Sequence, residues 1–328
     1  MTDLITPNSA AMTLQYVEAR RGQRGHPLQV DRTTRMEAIV EVIGRQTMAI
    51  TARHLFYLLT GKPYLYPKTQ PFYGRVLADL LELRRSGDVA WDAITDGTRT
   101  KTRWIGYGSL AEAAREWQDT YRRDVWRDTD MTCEVWTESR GLLGTINEIA
   151  SQYGVTTLGV GGFNSVSVGY QTAQDVLRAG RLGKRFVIFH FGDHDPSGMA
   201  IGDSAEREIR WHLDRVPRGT NGYPWADMLN EGFRFLRVAL TAAQVEAYDL
   251  PTAPVKVNKA GGISGGHARS WEGGVTELDA LDPHVLQGLV RNSIESVLDP
   301  KALEVARAAE ESERLILGNI DRLLGVDR

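Results

Sequence analysis

The spacing of apolar positions divides the chain into two regimes. Over residues 33–46, Met36, Ile39, Val40 and Ile43 recur at three and four, so one helical face is apolar. Thr51 is placed to cap a second helix over 52–59, which stops at Thr60-Gly61-Lys62-Pro63. A third helix is predicted over 70–85, with Val76, Leu77, Leu80 and Leu81 as its apolar face and Gly87 as its stop. A helical connector is expected over 111–126. From about residue 130 the period changes. Short β-prone runs at 132–137, 155–160, 186–191 and 233–240 alternate with helical stretches at 142–153, 168–179 and 199–213. Strands separated by helices of this length predict a parallel α/β sheet. From Leu278 onward the pattern returns to helices, separated at Asp299-Pro300.

The three leading helices are followed by β-prone pieces at 89–94 and 103–107, around the turn Asp96-Gly97-Thr98. Three helices and a ribbon predict a winged helix-turn-helix, with the third helix as groove reader and residues 99–103 as a basic wing directed at phosphates. The candidate DNA contacts are Lys68, Arg75, Arg99, Lys101 and Arg103. The competing reading is a plain three-helix bundle with a solvated charged hairpin. The expected organisation is a flexible arm over 1–30, a winged-helix domain over 31–127, an α/β domain over 128–257, and a glycine-rich loop with C-terminal helices over 258–328.

Charge sharpens this division. The net charge of the 328 residues is −3, but residues 1–103 carry +5 and the remainder −8. A basic front and an acidic rear point the first part towards a polyanion. The single cysteine, Cys133, excludes an internal disulfide and a cysteine zinc cluster. No apolar run is long enough for a membrane span and the N-terminus lacks a signal pattern, so a cytoplasmic protein without a membrane partner is expected.

The candidate chemistry lies where the strand 186–191 ends in Gly192-Asp193-His194-Asp195-Pro196-Ser197-Gly198. Ligands of open α/β sheets bind at the carboxyl ends of the strands. Two carboxylates one residue apart repel unless a cation lies between them, and an all-oxygen donor set selects a hard divalent ion. The first strand of the α/β region ends in Glu138, which brings a third acid to the same edge, and Glu134 on the same strand face is its rival. Asp, Pro, Ser and Gly are also ordinary turn formers, so an acidic turn is the competing reading. His190 alternates onto a strand face as a core residue. His194 is a candidate phosphate contact. The stretch 161–165, GGFNS, is either a backbone cradle for phosphate or a tight turn. No nucleotide-binding glycine loop is present.

A strand ending in Glu followed by a strand ending in DxD resembles the Toprim domain of topoisomerases, primases and some nucleases. The form DxDPxG, with Pro196 and Gly198, resembles more closely the topoisomerase VI A subunit and the related meiotic break-forming transesterase. In that family a winged helix precedes the Toprim domain and carries a nucleophilic tyrosine in an Arg-x-x-aromatic-Tyr motif. Here the matching residues are Arg53-His54-Leu55-Phe56-Tyr57, on the expected second helix. Ser139 departs from the Lys that often follows the glutamate. The resemblance implies magnesium held by Glu138, Asp193 and Asp195, with Glu138 also able to move protons. It implies attack by Tyr57 with help from Arg53, a 5′-phosphotyrosyl product on double-stranded DNA, a homodimer, and a separate ATPase subunit. The alternatives are a Toprim nuclease that uses water, with Tyr57 structural, and a DNA-binding module without catalysis.

Overall fold

A computed structural model describes residues 31–95, 106–161, 166–215, 232–255, 271 and 273–323. The expected N-terminal arm, the wing tip with Arg99, Lys101 and Arg103, and most of the glycine-rich loop lie outside the described residues.

The N-terminal unit contains α1 (Arg32–Gly44), the short strand β1 (Ile50–Thr51), α2 (Ala52–Thr60), α3 (Gln70–Ser86) and β2 (Ile94–Thr95). Local capping sets the starts and stops. Asp31 caps α1, Thr51 accepts from the His54 amide to cap α2, and α3 ends on Gly87 at φ 90°. Ile39, Leu55, Leu59, Val76 and Leu80 form the core of this unit. Leu77 and Leu81, expected on the buried face of α3, are exposed, and Phe72 and Leu83 are buried instead. The face is rotated because it also holds buried Asp79, which accepts from Arg35 at 2.7 Å and from Arg32 at 3.2 Å on α1. The expected strand over 89–94 is a 3-10 turn at Trp91–Ala93, and only β2 pairs, parallel to β1. Arg84 draws this segment back onto α3: its guanidinium donates to the Trp91 carbonyl at 2.5 Å and stacks 4.3 Å from the indole. The elements of a three-helix unit are therefore present, and the ribbon pairing of a winged helix is not seen among the described residues.

The connector helix, α4 (Leu110–Thr120), is shorter than its periodicity predicts. Beyond it, Tyr121 donates to Glu313 at 2.6 Å and receives Arg314 on its carbonyl, so the far C-terminal helix holds this segment.

The second unit is a four-stranded parallel sheet of β3 (Met131–Thr137), β4 (Thr156–Gly159), β5 (Arg185–Phe191) and β6 (Phe233–Ala239), in the order β4-β3-β5-β6. The crossovers are α5 (Leu143–Ala150), α6 (Val166–Arg181) and α7 (Pro196–Asp214). Alternation places Cys133, Val135, Val187 and Phe189 on one face, covered by α5 and by α9 (Pro283–Glu295). It places Trp136, Phe186, Ile188 and Phe233 on the other, covered by α6 and α7. Strands buried on both faces are nearly continuous apolar runs, which holds for β5, while the edge strands β4 and β6 are mixed. A short helix, α8 (Ala242–Ala247), follows β6, and α10 (Pro300–Leu323) packs along α4. Among the described residues no helix is long and apolar enough to cross a membrane.

The chain leaves β3 towards β4 on one side and returns across it to β5 on the other. The switch point of the sheet therefore falls between the carboxyl ends of β3 and β5, the position where ligands bind in such folds. Ile188, fully buried at the centre of β5, tests the sheet core. Ile188→Ala is expected to lower unfolding stability by about 2–5 kcal/mol in chemical denaturation, without change in the acid cluster.

Candidate functional site

The residues after β3 and β5 meet at the switch point. The Glu138 amide extends the ladder by donating to the Phe191 carbonyl at 2.9 Å, and the Glu138 carboxylate accepts from the Asp193 amide at 3.2 Å. Glu134 faces elsewhere: it accepts from the Trp136 indole at 2.8 Å. Of the two rival glutamates, Glu138 is thus the one beside Asp193. Asp195 caps α7, accepting from the Gly198 amide at 2.6 Å, with Pro196 in the first turn. Gly198 is required by space as well: a Cβ there would lie 2.4 Å from the Asp193 carbonyl and 2.9 Å from Glu138 Oε2.

An internal cation organises the turn. Arg237 on β6 donates to the carbonyls of Gly192 at 3.0 Å, Gly198 at 3.2 Å and Asp193. Arg237 was not among the residues singled out by motif, although an arginine within the apolar run FRFLRVA is a legible signal.

The acids are crowded. Burial and then the Glu138 charge push the Asp193 carboxyl well above the usual carboxylate range. Burial chiefly raises Glu138 also, and Asp195 adds to this. A carboxylate raised in the folded state takes up protons more readily there than in the unfolded chain. These two groups therefore cost stability at neutral pH, and the cost is relieved as pH falls through their raised values. His190, beneath them, is of opposite sign. It is buried, neither ring nitrogen has a hydrogen-bond partner, and desolvation lowers it to about 3. Its contribution is complete above the unfolded value of about 6.5 and falls by about 1.4 kcal/mol per pH unit as acid is added towards pH 3.

The donor chemistry of Glu138, Asp193 and Asp195, all oxygen and two of them destabilised as anions, fits a hard divalent cation. Among the described residues no three His, Cys, Asp or Glu side chains converge as a metal-holding group, and Asp195 is turned to its own helix as a cap.

Two clefts meet at this edge. One is lined by Glu138, Ser139, Arg140, Asp193 and Asp279 with Arg53 and Arg84. The other is lined by Asp195 and Ser197 with Arg53, Tyr57, Lys68 and Glu277. Arg53 and Tyr73 line both. The fold thus places Arg53, on α2, in one cleft with Glu138 and Asp193 and in the adjoining cleft with Tyr57 and Asp195. Arg75 is exposed on α3 and lines neither cleft.

Glu277 and Asp279 escaped the motif reading. They follow the glycine-rich segment and repeat the D-x-D spacing of residues 193–195, which is the signal that could have found them. Thr276 pairs with His194 through both backbone bonds, 2.8 and 3.0 Å, and the Leu278 amide donates to Asp193 Oδ1 at 2.7 Å. Glu277 accepts from Arg53 at 2.5 Å and pairs with Lys68 at 3.5 Å, and it lines the same cleft as Tyr57. Tyr57 is 6% exposed, and burial first, then this carboxylate, push its phenol well above the ordinary value. Buried Asp279 lies 4.0 Å from Arg53, and its Oδ1 has no hydrogen-bond partner. The neighbouring His54 bonds the Leu281 carbonyl at 3.0 Å, joining α2 to the same segment.

No family model, curated protein or solved structure gives a significant match to this chain.

If anionic crowding dominates this edge, Asp193→Asn is more stable than the parent at neutral pH without metal, by on the order of 1 kcal/mol. Magnesium raises the melting temperature of the parent and not of this variant, as differential scanning calorimetry would read. For His190, the imidazole resonances in NMR are expected to stay fixed from pH 8 to pH 5, while an exposed histidine titrates near 6.5.

Proposed function

We propose that this protein cleaves double-stranded DNA by tyrosine transesterification in the manner of the topoisomerase VI A subunit, with a winged-helix-like unit and a Toprim-like unit sharing one site. The observation that carries the reading is the pair of adjoining clefts that share Arg53. Tyr57 and Arg53 come from the helical unit, Glu138, Asp193 and Asp195 come from the sheet edge, and Arg53 lines both clefts between them.

The chemistry assigns each residue a task. Tyr57 Oη forms a bond to phosphorus, the bond to the 3′ oxygen breaks, and that oxygen leaves with a proton. The product is a 5′-phosphotyrosyl end and a free 3′ hydroxyl, and the reverse attack reseals the strand without a redox partner or nucleotide. Arg53, one helical turn before Tyr57, holds the phosphate with its guanidinium fork. Lys68, with its ammonium 4.7 Å from the Tyr57 ring centre, adds a second cation. Magnesium would be held by Glu138, Asp193 and Asp195, where it supplies charge neutralisation for the phosphate oxygens. A double-strand break needs two tyrosines, hence a homodimer. By the same resemblance, ATP use would belong to a separate subunit.

One observation favours a second reading. Tyr57 is buried and its phenol is held neutral, as a structural tyrosine would be. In that case water attacks instead and the protein is a hydrolytic nuclease.

Supercoiled plasmid incubated with magnesium and quenched in detergent separates the readings. Transesterification leaves protein covalently attached to DNA ends, and Tyr57→Phe abolishes the adduct by at least 100-fold. Cleavage that survives Tyr57→Phe but is lost in Asp193→Ala establishes the hydrolytic reading instead. Intact plasmid with every variant, despite DNA binding, leaves a binding module.

A further inference from the structure

We infer that Glu277 fills the phosphate subsite of the tyrosine cleft in the DNA-free protein, so that a backbone phosphate of the incoming strand displaces it from Arg53 and Lys68. The inference deepens the DNA-cleavage reading above and rests on it. One carboxylate gathers two cations, the Arg53 guanidinium at 2.5 Å and the Lys68 ammonium at 3.5 Å, in the cleft that Tyr57 lines. A guanidinium fork and an ammonium converging on one oxyanion form the donor set that binds a phosphodiester. Both cations also lie over the Tyr57 ring, at 5.6 and 4.7 Å from its centre, so the anion they share is beside the nucleophile.

The carboxylate is delivered by an element remote in sequence. Antiparallel bridges of Val275 with Ala253 and of Thr276 with His194 hold the segment, and Glu277 projects from it to α2, 224 residues away from Arg53. The occupied state suits a resting site. Glu277 offsets one of the two positive charges of Arg53 and Lys68, and its charge opposes loss of the Tyr57 proton. The Arg53 side chain is 58% exposed, so the guanidinium is reachable from solvent while it holds Glu277. A different role, Glu277 as proton acceptor from Tyr57, is disfavoured by the same contacts. The cations and the Tyr57 hydroxyl lower the carboxyl below its usual value despite burial, and the phenol is raised, so transfer runs uphill from both sides.

The test is DNA affinity measured without divalent metal, by fluorescence anisotropy of a short labelled duplex. The variants are Glu277→Gln, the double variant Arg53→Ala/Lys68→Ala, and the triple variant combining all three changes. Glu277→Gln is expected to bind about 10-fold tighter and to steepen the salt dependence by about one to two counterions, since two further cations reach phosphate. In the Arg53→Ala/Lys68→Ala background the same change brings no gain. Unchanged or weaker binding by a folded Glu277→Gln overturns the inference. An equal gain in the background lacking both cations also overturns it, since Glu277 then acts only as a distant negative charge. Covalent trapping scored in parallel separates this from the reaction itself. Trapping by the parent with no Glu277→Gln gain sinks the subsite alone, and a gain without trapping in any variant keeps the subsite and sinks the transesterase. No DNA binding by any variant sinks both.

Discussion

The site depends on a short segment, Val275 to Asp279, that binds the acidic turn of the sheet with its backbone and the tyrosine helix with its side chains. Thr276 exchanges two backbone bonds with His194, and Leu278 donates to Asp193. On the other side Glu277 gathers Arg53 and Lys68. Without this crossing the helical unit and the sheet would each present half of a groove. Backbone bonds fix the position of the segment because they leave little freedom of register, while the ionic contacts stay exchangeable at a partly exposed guanidinium.

Electrostatic balance follows from that placement. The sheet edge is overloaded with anions: Glu138 and Asp193 are both raised, and half-buried Arg237 answers them mainly through the carbonyls of the turn. The α2 edge is the reverse, with Arg53 and Lys68 gathered around a single tyrosine. Glu277 is the anion that the cationic edge takes from the segment between them. A phosphodiester and a divalent cation have the complementary charges, and the proposed nucleic-acid reading rests on that match.

Much of the fold was legible. The β5 strand shows as an unbroken apolar run, the three crossover helices show as period-three-and-four stretches, and the Thr51 and Gly87 caps fall where the sequence puts them. The failures have local causes. The buried face of α3 is rotated because Asp79 takes part of it to pair with Arg35, which a count of apolar residues does not weigh. The piece after α3 is a 3-10 turn because Arg84 captures the Trp91 carbonyl, a contact between side chain and backbone with no periodic signature. The Glu138 and DxD pairing was legible as two strand ends. Setting Glu138 rather than Glu134 beside Asp193 needed the structure, because alternation alone assigns both glutamates one strand face, while Glu134 in fact accepts from the Trp136 indole.

The sequence by itself determined the alternation that builds a parallel sheet, the acids at its strand ends, and Arg53 and Tyr57 one helical turn apart. These follow from periods of two and 3.6 and from capping chemistry, which act over a few residues. Only the tertiary structure decided that these pieces line adjoining clefts and that Glu277 pairs with Arg53. That outcome depends on contacts spanning more than 200 residues, as between Arg53 and Glu277. Such contacts are selected by how two cores pack together and by where a segment finds backbone partners, and neither leaves a pattern in the neighbouring residues.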